Sequence, residues 1–282
     1  MNKKAYMTLL GSDNYLVGTL ALVQSLKSVK SKYPIIVIVT DNVSNESLQV
    51  LKNKHIDFVK IGKVNISNKV IEDNKKQGYS NWSNTFSKLV IFGQTQYEKI
   101  VFLDSDMLIL KNVDDLFNKD SLSAVVAGKS YPGNSDWKDL NSGTMVIVPK
   151  TGEDKRLLDL VENNNLSGKF GDQDIIQLGY PNWKKETHLE LGEEYNLFAK
   201  HEPYYVGSNI LNKPIKVLHF VGKIKPWNMG KKQRYRYCLH IIKENIKVTK
   251  SIKGYYYFVK DFNMYCKICD NIKKSIKSNW DE

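Results

Sequence analysis

The chain has 282 residues and a formal net charge of +12, and its ordinary composition suits one large α/β domain or two small ones. No stretch is apolar for long enough to cross a membrane, and the start "MNKKAYMTLLGSDNY" lacks the apolar centre of a signal peptide, so we expect a cytoplasmic location. Three cysteines fit a reducing compartment better than a disulfide framework, and the lone pair Cys266 and Cys269 is assigned no function.

The first half alternates strands and helices in the pattern that builds a parallel sheet. Strands are predicted at "AYMTLL", "IIVIV" and "DFVKI", and helices at "NYLVGTLALVQSLKSVKS" and "SNESLQVLKNK", the second capped by Ser44. The polar segment from Lys63 to Asn81 has no clear period and predicts a mobile loop long enough to be functional. A further helix is predicted at "WSNTFSKLVIFGQTQ", with Phe86, Leu89, Val90 and Gly93 on one side.

The next segment, "VFLDSDMLIL", places Asp104 and Asp106 in a run that otherwise predicts a buried strand. Because side chains alternate along a strand, both carboxylates would point to one side, with Ser105 opposite. Two carboxylates at the end of a strand suit a hard divalent cation. The alternative is that the strand ends at Leu103 and the acids form a solvated turn. These residues alone leave both interpretations open.

The second half predicts a mixed sheet that gains antiparallel strands. Strands are expected at "SLSAVVAG", "SGTMVIVP" and "IKVLHFVG", and helices at "GEDKRLLDLVENN" and "DQDIIQLG". Open α/β sheets bind ligands at the carboxyl ends of their strands, where the two acids and the turn of "MTLLGSDNY" would lie. That turn leads into a helix amino terminus suited to an anion, but it carries neither a dinucleotide nor a P-loop fingerprint.

The end of the chain is strongly basic. Residues 231–282 hold 11 Lys and 2 Arg against 5 Asp or Glu, a net charge of +8. Such a segment could bind nucleic acid, an anionic membrane surface or an acidic polymer. We favour a solvated helical appendage, with base stacking on its tyrosines as a less favoured alternative.

Five segments in order resemble the glycogenin-like retaining glycosyltransferases of family 8: "TLLGSDNYLVGTLALVQSLK", "FSKLVIFGQTQYEKIVFLDSDMLIL", "NVDDLF", "LNSGTMV" with "FGDQDI", and "VLHFVGKIKPWN". The resemblance runs from Met7 to about Trp227. It implies a single Rossmann-like nucleotide-sugar transferase domain of the GT-A type over residues 1–230, with a mixed central sheet and helices on both faces. Residues 231–282 would form a basic helical C-terminal extension.

The resemblance implies a metal site at Asp104, Asp106 and His219. Alone, a histidine on an apolar strand would be interpreted as a core residue. Carboxylates with an imidazole favour Mn²⁺, with Mg²⁺ as the alternative, bound to the diphosphate of a UDP sugar. The following "GKIKPW" supports this assignment, because Gly222 permits close backbone approach and Lys225 can pair with a phosphate.

The resemblance also implies a donor site. The base and ribose would contact Thr8, Leu9, Leu10, Ser12 and Tyr15, and Ser105 would also bind the donor. Lys88 would lie near the donor phosphate and sugar, and the sugar hydroxyls would contact Asn141, Ser142, Asp172 and Gln173. From pattern alone, Tyr15 would equally be a packing residue, Lys88 a surface lysine and Asp172 a helix cap. The catalytic candidates are Asp172, Lys225 and Lys88. Asp172 would act as nucleophile, or attack would occur from the front face; the sequence leaves both open.

The expected reaction is metal-dependent, retaining transfer of a hexose, glucose foremost, from a UDP sugar to a hydroxyl acceptor on a glycan or protein. Lys169 stands where glycogenin-like chains carry an acid, which leaves the sugar open. One alternative is a self-glycosylating primer, although Glu202 occupies the position expected for the acceptor tyrosine; Tyr204 of a homodimer partner could substitute. The other is a polyanion-binding or nucleic-acid-binding protein on an inactive scaffold, with nucleic acid the less expected partner.

Overall fold

The computed structural model describes residues 3–62, 64, 66–67, 72, 76, 80–163, 170–249 and 252–278. The strands are β1 (Lys4–Leu10), β2 (Ile35–Val39), β3 (Phe58–Lys60), β4 (Lys99–Leu103), β5 (Met107–Ile109), β6 (Ala124–Val125), β7 (Asn141–Ile147), β8 (Glu190–Leu191), β9 (Leu197–Phe198) and β10 (Val217–His219). The α-helices are α1 (Leu16–Ser28), α2 (Asn45–Asn53), α3 (Glu153–Asn163), α4 (Asp172–Gly179), α5 (Glu202–Gly207), α6 (Lys231–Thr249) and α7 (Lys253–Ser278). Most of the predicted loop from Lys63 to Asn81, and Lys169, lie outside the described residues.

The central sheet has seven strands in the order β3-β2-β1-β4-β7-β6-β8. Strand β1 lies parallel to both β2 and β4, whereas β7 is antiparallel to β4, so the sheet is mixed, as predicted. Residues Ala5, Tyr6 and Met7 of β1 are fully buried, because layers cover both faces of the sheet. Three shorter strands form a second sheet in the order β5-β10-β9.

The two acids lie between these sheets, and the prediction that both lie in one strand and point to the same side of it is wrong. Strand β4 ends at Leu103, which pairs with Thr144 of β7, and Asp104 N then donates to Gly143 O at 2.9 Å. The chain turns and enters β5 of the second sheet, where Phe220 N donates to Asp106 O at 2.9 Å. The predicted alternative, a strand ending at Leu103, is therefore correct, but the turn is largely buried and not solvated.

A long 3₁₀ helix, Ser80–Gly93, precedes β4 where a helix was predicted. A 3₁₀ helix has three residues per turn, so the apolar side follows a spacing of three and not of 3.6. Phe86, Leu89 and Phe92 lie on that side and are buried, and Ile91 is buried on another side. Of the predicted face, Phe86 and Leu89 are therefore buried as expected, whereas Val90 and Gly93 are only partly buried. This helix carries Lys88, which is only 4% exposed.

The C-terminal extension is helical, as predicted, but it is not a solvated appendage. Helix α7 places Phe258, Phe262 and Tyr265 in the same core cluster as Phe220 and Trp227. The rings of Tyr265 and Phe220 stack at 4.2 Å between centroids. The extension therefore completes the apolar core beneath the end of β10.

The two C-terminal cysteines take part in that packing. Cys266 and Cys269 are buried in α7, and burial raises the pKa of each thiol to about 12. Both thiols are therefore protonated at neutral pH and poorly reactive.

Among the described residues, no helix is long and apolar enough to span a bilayer.

Candidate active site

A group of three side chains meets at the carboxyl end of β4, where the two sheets adjoin. Asp104, Asp106 and His219 each offer one ligand atom, and these atoms all lie within 4.8 Å of one another. His219 Nε2 lies 3.1 Å from Asp106 Oδ1 and 3.8 Å from Asp104 Oδ2. The side chains of Asp106 and His219 are nearly buried, whereas that of Asp104 is 27% exposed. The group is therefore open to solvent on the Asp104 side.

Lys225 closes one side of this group. Its ammonium forms an ion pair with Asp106 Oδ2 and donates to Phe220 O at 3.1 Å. Burial raises the pKa of Asp106, but the charges of His219 and Lys225 outweigh burial and leave the pKa below its usual value. Asp106 is therefore ionised at neutral pH.

Lys88 closes the other side. Its Nζ lies 2.9 Å from Asp104 Oδ1 and 2.7 Å from Asp172 Oδ2. Burial lowers the pKa of Lys88, but the two carboxylates outweigh that effect and raise it. For Asp172, burial raises the pKa, but Lys88 and the hydroxyls of Ser142 and Thr85 outweigh burial and leave the pKa below its usual value. The result is a buried, ionised Lys88–Asp172 pair.

The charges in this group are incompletely balanced at Asp104. Burial raises the pKa of Asp104, and the opposing effects of Lys88 and His219 do not cancel the increase. A further cation beside Asp104 would remove this imbalance. The donor set of two carboxylates and one imidazole thus fits a divalent metal ion.

The amino terminus of helix α4 is capped without the side chain of Asp172, which leaves that carboxylate to contact Lys88. Gly171 precedes the helix, and Gly171 N donates to Asp174 Oδ2 at 2.8 Å. Asp172 is the first helical residue, and it accepts a hydrogen bond from Ser142 Oγ at 2.7 Å. The alternative in which Asp172 serves as the helix cap is therefore wrong.

A chain of amide side chains connects His219 to the predicted sugar site. His219 Nδ1 lies 2.8 Å from Asn196 Oδ1, and Asn196 Nδ2 donates to Asn141 Oδ1 at 2.8 Å. Asn141 Nδ2 in turn donates to Gln173 Oε1 at 3.1 Å. Since the Asn196 oxygen faces the ring, Nδ1 carries a proton and donates to it, and Nε2 faces the two aspartates.

Asn196 was missed by the sequence analysis, although it is fully buried. It lies between Tyr195 and Leu197, in a short segment without a helical or strand period. The available signal was a lone amide in an apolar setting, because a buried amide needs hydrogen-bond partners. Asp104 and Asp106, which follow the apolar residues of β4, gave the same kind of signal, namely polar side chains within an apolar run.

Of the residues predicted to bind the nucleotide, Tyr15 lies beside this centre. Tyr15 lies near Lys225, whose Nζ is 5.7 Å from the centre of its ring, and Trp227 packs edge-on against Tyr15 at 5.9 Å. The hydroxyl of Thr8 is buried and has no hydrogen-bond partner among the described residues. The side chain of Leu10 is fully buried, so only its backbone could contact a nucleotide, whereas the side chain of Leu9 is partly buried against a core cluster. Ser12 is half-buried ahead of the 3₁₀ turn Asp13–Tyr15.

Glycines allow the elements around the centre to approach closely. A Cβ on Gly143 would lie 2.8 Å from His219 Cε1, and one on Gly18 would lie 2.7 Å from Ser105 O. Gly222 has a φ of +119°, which favours glycine, and the space at its Cβ position is open. Gly143 and Gly18 therefore set the positions of β10 and of the Asp104–Asp106 turn.

Comparison with known proteins identifies the family of this chain over most of its length. The family model described as "Glycosyl transferase family 8" matches residues 7–230. Human Glycogenin-1 is 32% identical over 232 residues, which cover 81% of this chain and 63% of Glycogenin-1. The chain thus spans less than two thirds of that relative's length.

Solved structures show a shared fold. The apo form of the glycosyltransferase GlyE from Streptococcus pneumoniae TIGR4 aligns with a TM-score of 0.56 and 20% identity over 98% of this chain and 64% of GlyE. The galactosyltransferase LgtC, solved with donor and acceptor sugar analogues, aligns with a TM-score of 0.55 and 14% identity over 92% of this chain and 95% of LgtC. These neighbours have the GT-A type of fold predicted from the sequence. The chain belongs to glycosyl transferase family 8.

Proposed function

We propose that this protein is a metal-dependent retaining glycosyltransferase that moves a hexose, glucose foremost, from a UDP sugar to a hydroxyl acceptor. The observation that carries the proposal is the convergence of Asp104, Asp106 and His219, with ligand atoms within 4.8 Å of one another. Lys88 and Lys225 flank them, and the predicted sugar-binding residues continue from Lys88 through Ser142 to Asp172.

Asp104, Asp106 and His219 would hold the ion, with Mn²⁺ favoured by the mixed oxygen and nitrogen ligands. When bound, such an ion supplies Lewis acidity toward the diphosphate oxygens. Lys225 would stabilise the negative charge that develops on the departing diphosphate, exchanging part of its contact with Asp106 for a phosphate oxygen. Gly222 leaves open space in the loop beside Lys225, where the diphosphate could approach the backbone.

Asp172 would act on the donor sugar. Lys88 and Ser142 hold its carboxylate by contacts of 2.7 Å each, which limits its rotation and keeps it ionised. An ionised carboxylate can form a covalent bond with the anomeric carbon or stabilise positive charge there during front-face attack. Asn141 and Gln173, which are hydrogen-bonded to each other, would orient the sugar hydroxyls.

We propose a separate acceptor as the main substrate. Two other tyrosines in the same part of the chain have hydroxyls that are engaged inside the protein: Tyr195 donates to Asp115 Oδ2, and Tyr205 donates to Glu193. The ring of Tyr204 is half-buried against Tyr131, with 5.3 Å between their centroids. Self-glycosylation at Tyr204 is the second candidate, favoured by its position in the segment that follows Glu202.

The test is transfer and donor hydrolysis with a panel of UDP sugars in the presence of Mn²⁺. We expect UDP release above background with UDP-glucose and none with chelator, and the intact mass of the protein should stay constant. A ladder of hexose additions that disappears in Tyr204→Phe would replace the separate acceptor by self-modification. Absence of UDP release with every sugar and metal would refute the transferase assignment.

A further inference from the structure

Exposed apolar side chains are concentrated on the two C-terminal helices. Eight of the twelve large hydrophobic side chains that are exposed in the described part of the chain lie in residues 235–264. The C-terminal extension that contains this region, residues 231–282, carries a net charge of +8 out of the +12 of the chain. Scattered exposed apolar residues are normal, but a concentration of them indicates a binding surface.

Helix α6 arranges these residues in an ordered way. An α-helix turns about 100° per residue, so Tyr235, Leu239, Ile242 and Ile246 fall within an arc of about 60°. We call these four residues the apolar stripe; Tyr235, Leu239 and Ile246 are 65%, 46% and 40% exposed. Helical spacing makes the stripe about 16 Å long.

A line of cations runs beside the apolar stripe. Lys232, Arg236, Lys243 and Lys247 occupy the adjacent arc of about 60° and are all exposed; we call them the basic row. Helix α6 has one acid, Glu244, whose carboxylate pairs with Lys247 at 2.8 Å. The exposed face of α6 is thus apolar along one line and positively charged along the next.

The other face of α6 is fixed to the body of the protein. Ile241 and Asn245 are buried there, and Asn245 Nδ2 donates to Lys200 O at 3.0 Å. Arg234 Nη1 lies 2.6 Å from Asp270 Oδ2 of α7, and the Tyr255 hydroxyl donates to Ile242 O. The stripe and the row are therefore presented on a rigid helix and need no folding step.

We propose that this face of α6 binds an anionic membrane surface peripherally. An amphipathic helix with lysine and arginine beside leucine, isoleucine and tyrosine lies in the headgroup region, where it gains apolar burial and attraction to anionic lipids. The stripe supplies the apolar contact and the basic row supplies charge complementary to the headgroups. Nucleic acid would use the row but not Leu239, Ile242 and Ile246, which have no ring to stack on a base.

The test is flotation of the purified full chain with vesicles of phosphatidylcholine alone or with 30% phosphatidylserine, a fraction chosen for the assay. We expect binding to the mixed vesicles, little binding to phosphatidylcholine alone, and loss of binding as salt rises. The triple variant Lys232→Glu, Arg236→Glu, Lys243→Glu should lower the partition coefficient by at least about a hundredfold. Leu239→Ser with Ile246→Ser should lower it by about tenfold or more, through lost apolar burial.

A matched control keeps the same charge change on another surface. Lys52, Lys155 and Lys185 are exposed, and their triple change to Glu should leave most vesicle binding intact. UDP-sugar hydrolysis without vesicles reports the transferase separately, and every variant should retain it. This separates failure of the membrane proposal from failure of the proposed function.

Four outcomes would overturn the proposal. The wild type could fail to float with anionic vesicles at low salt, or the control triple could lose as much binding as the basic-row triple. Sedimentation velocity could instead show a dimer of the wild type that Leu239→Ser with Ile246→Ser dissociates, which would make the stripe an interface between copies of this chain. Binding of an RNA oligonucleotide without vesicle binding would assign the row to nucleic acid.

Discussion

Asn196 Oδ1 accepts a hydrogen bond from His219 Nδ1 at 2.8 Å, and this contact determines which ring nitrogen faces the two aspartates. Outer contacts of this kind commonly fix the orientation of a histidine ligand, and their loss costs about 10-fold to 100-fold in metal affinity. We therefore expect Asn196→Ala to weaken Mn²⁺ binding by about that factor in a calorimetric titration without donor.

The control for this variant is a second buried asparagine. Asn245 is 1% exposed and donates to Lys200 O and Ile241 O, so Asn245→Ala also removes buried hydrogen bonds. Both variants should lower the Tm, but only Asn196→Ala should weaken Mn²⁺ binding. Equal Mn²⁺ affinity in the two variants would show that Asn196 has a structural role alone.

Lys225 should act mainly in the transition state. Its ammonium now pairs with Asp106, so Lys225→Ala removes a competitor for that carboxylate as well as a partner for the leaving diphosphate. We expect kcat to fall by about 100-fold or more, while Mn²⁺ affinity is unchanged or higher. Steady-state kinetics with a Mn²⁺ titration measure both, and Lys225→Arg should recover part of kcat. A rise in KM at constant kcat would assign Lys225 to ground-state binding.

Glu202 predicts a pH dependence of stability. Burial, with a smaller contribution from Asp261 of α7, raises its pKa from 4.5 to about 9. Between pH 4.5 and about pH 9 the folded state keeps the proton on Glu202, whereas the unfolded state releases it. The free energy of unfolding therefore falls as the pH rises through this window. Glu202→Gln should make the Tm less dependent on pH in this window.

The exposed residue Glu98 provides the comparison for that experiment. Glu98→Gln should leave the decline of Tm between pH 5 and pH 9 as steep as in the wild type. The account of Glu202 would be wrong if Glu202→Gln kept the full decline.

The C-terminal extension should be required for folding. Tyr265 is fully buried and stacks on Phe220, which follows the proposed metal ligand His219. Tyr265→Ala should lower the free energy of unfolding by about 3 to 5 kcal/mol, as for other large aromatic truncations. Removal of residues 231–282 should abolish soluble expression. A soluble, active truncation would instead support a boundary at residue 230 between independent units.

Much of this fold follows from local patterns. Ser44 caps α2 by accepting from Ser47 N at 3.2 Å, and α4 begins at Asp172 and ends at Gly179 as the segment "DQDIIQLG" indicated. The course of the chain at Asp104 could not be predicted from hydrophobic periodicity alone, because the chain passes from one sheet to the other there. The convergence of the two acids with His219 also depends on β10, which lies more than 100 residues later and pairs with β5.

Two other features needed tertiary information. Phe258, Phe262 and Tyr265 have the helical spacing of a buried face, but the net positive charge of residues 231–282 led us to predict a solvated helix. The partners of Asn196 come from β7 and β10, so its role depends on contacts that no local pattern contains. Asp104, Asp106 and His219 could be named from the family motifs, which lie at the ends of β4 and β10, whereas Asn196 belongs to none of these motifs.

The most direct test of the central claim is a calorimetric titration of UDP into the wild type and Asp106→Asn, each with Mn²⁺ and with chelator. Because Asp106 is a proposed metal ligand paired with Lys225, we expect the wild type to bind UDP with Mn²⁺ and to lose at least about tenfold in affinity with chelator. Asp106→Asn should show weak binding under both conditions, with an unchanged circular dichroism spectrum. Wild-type UDP affinity that is the same with Mn²⁺ and with chelator would contradict a metal-dependent transferase built on Asp104, Asp106 and His219.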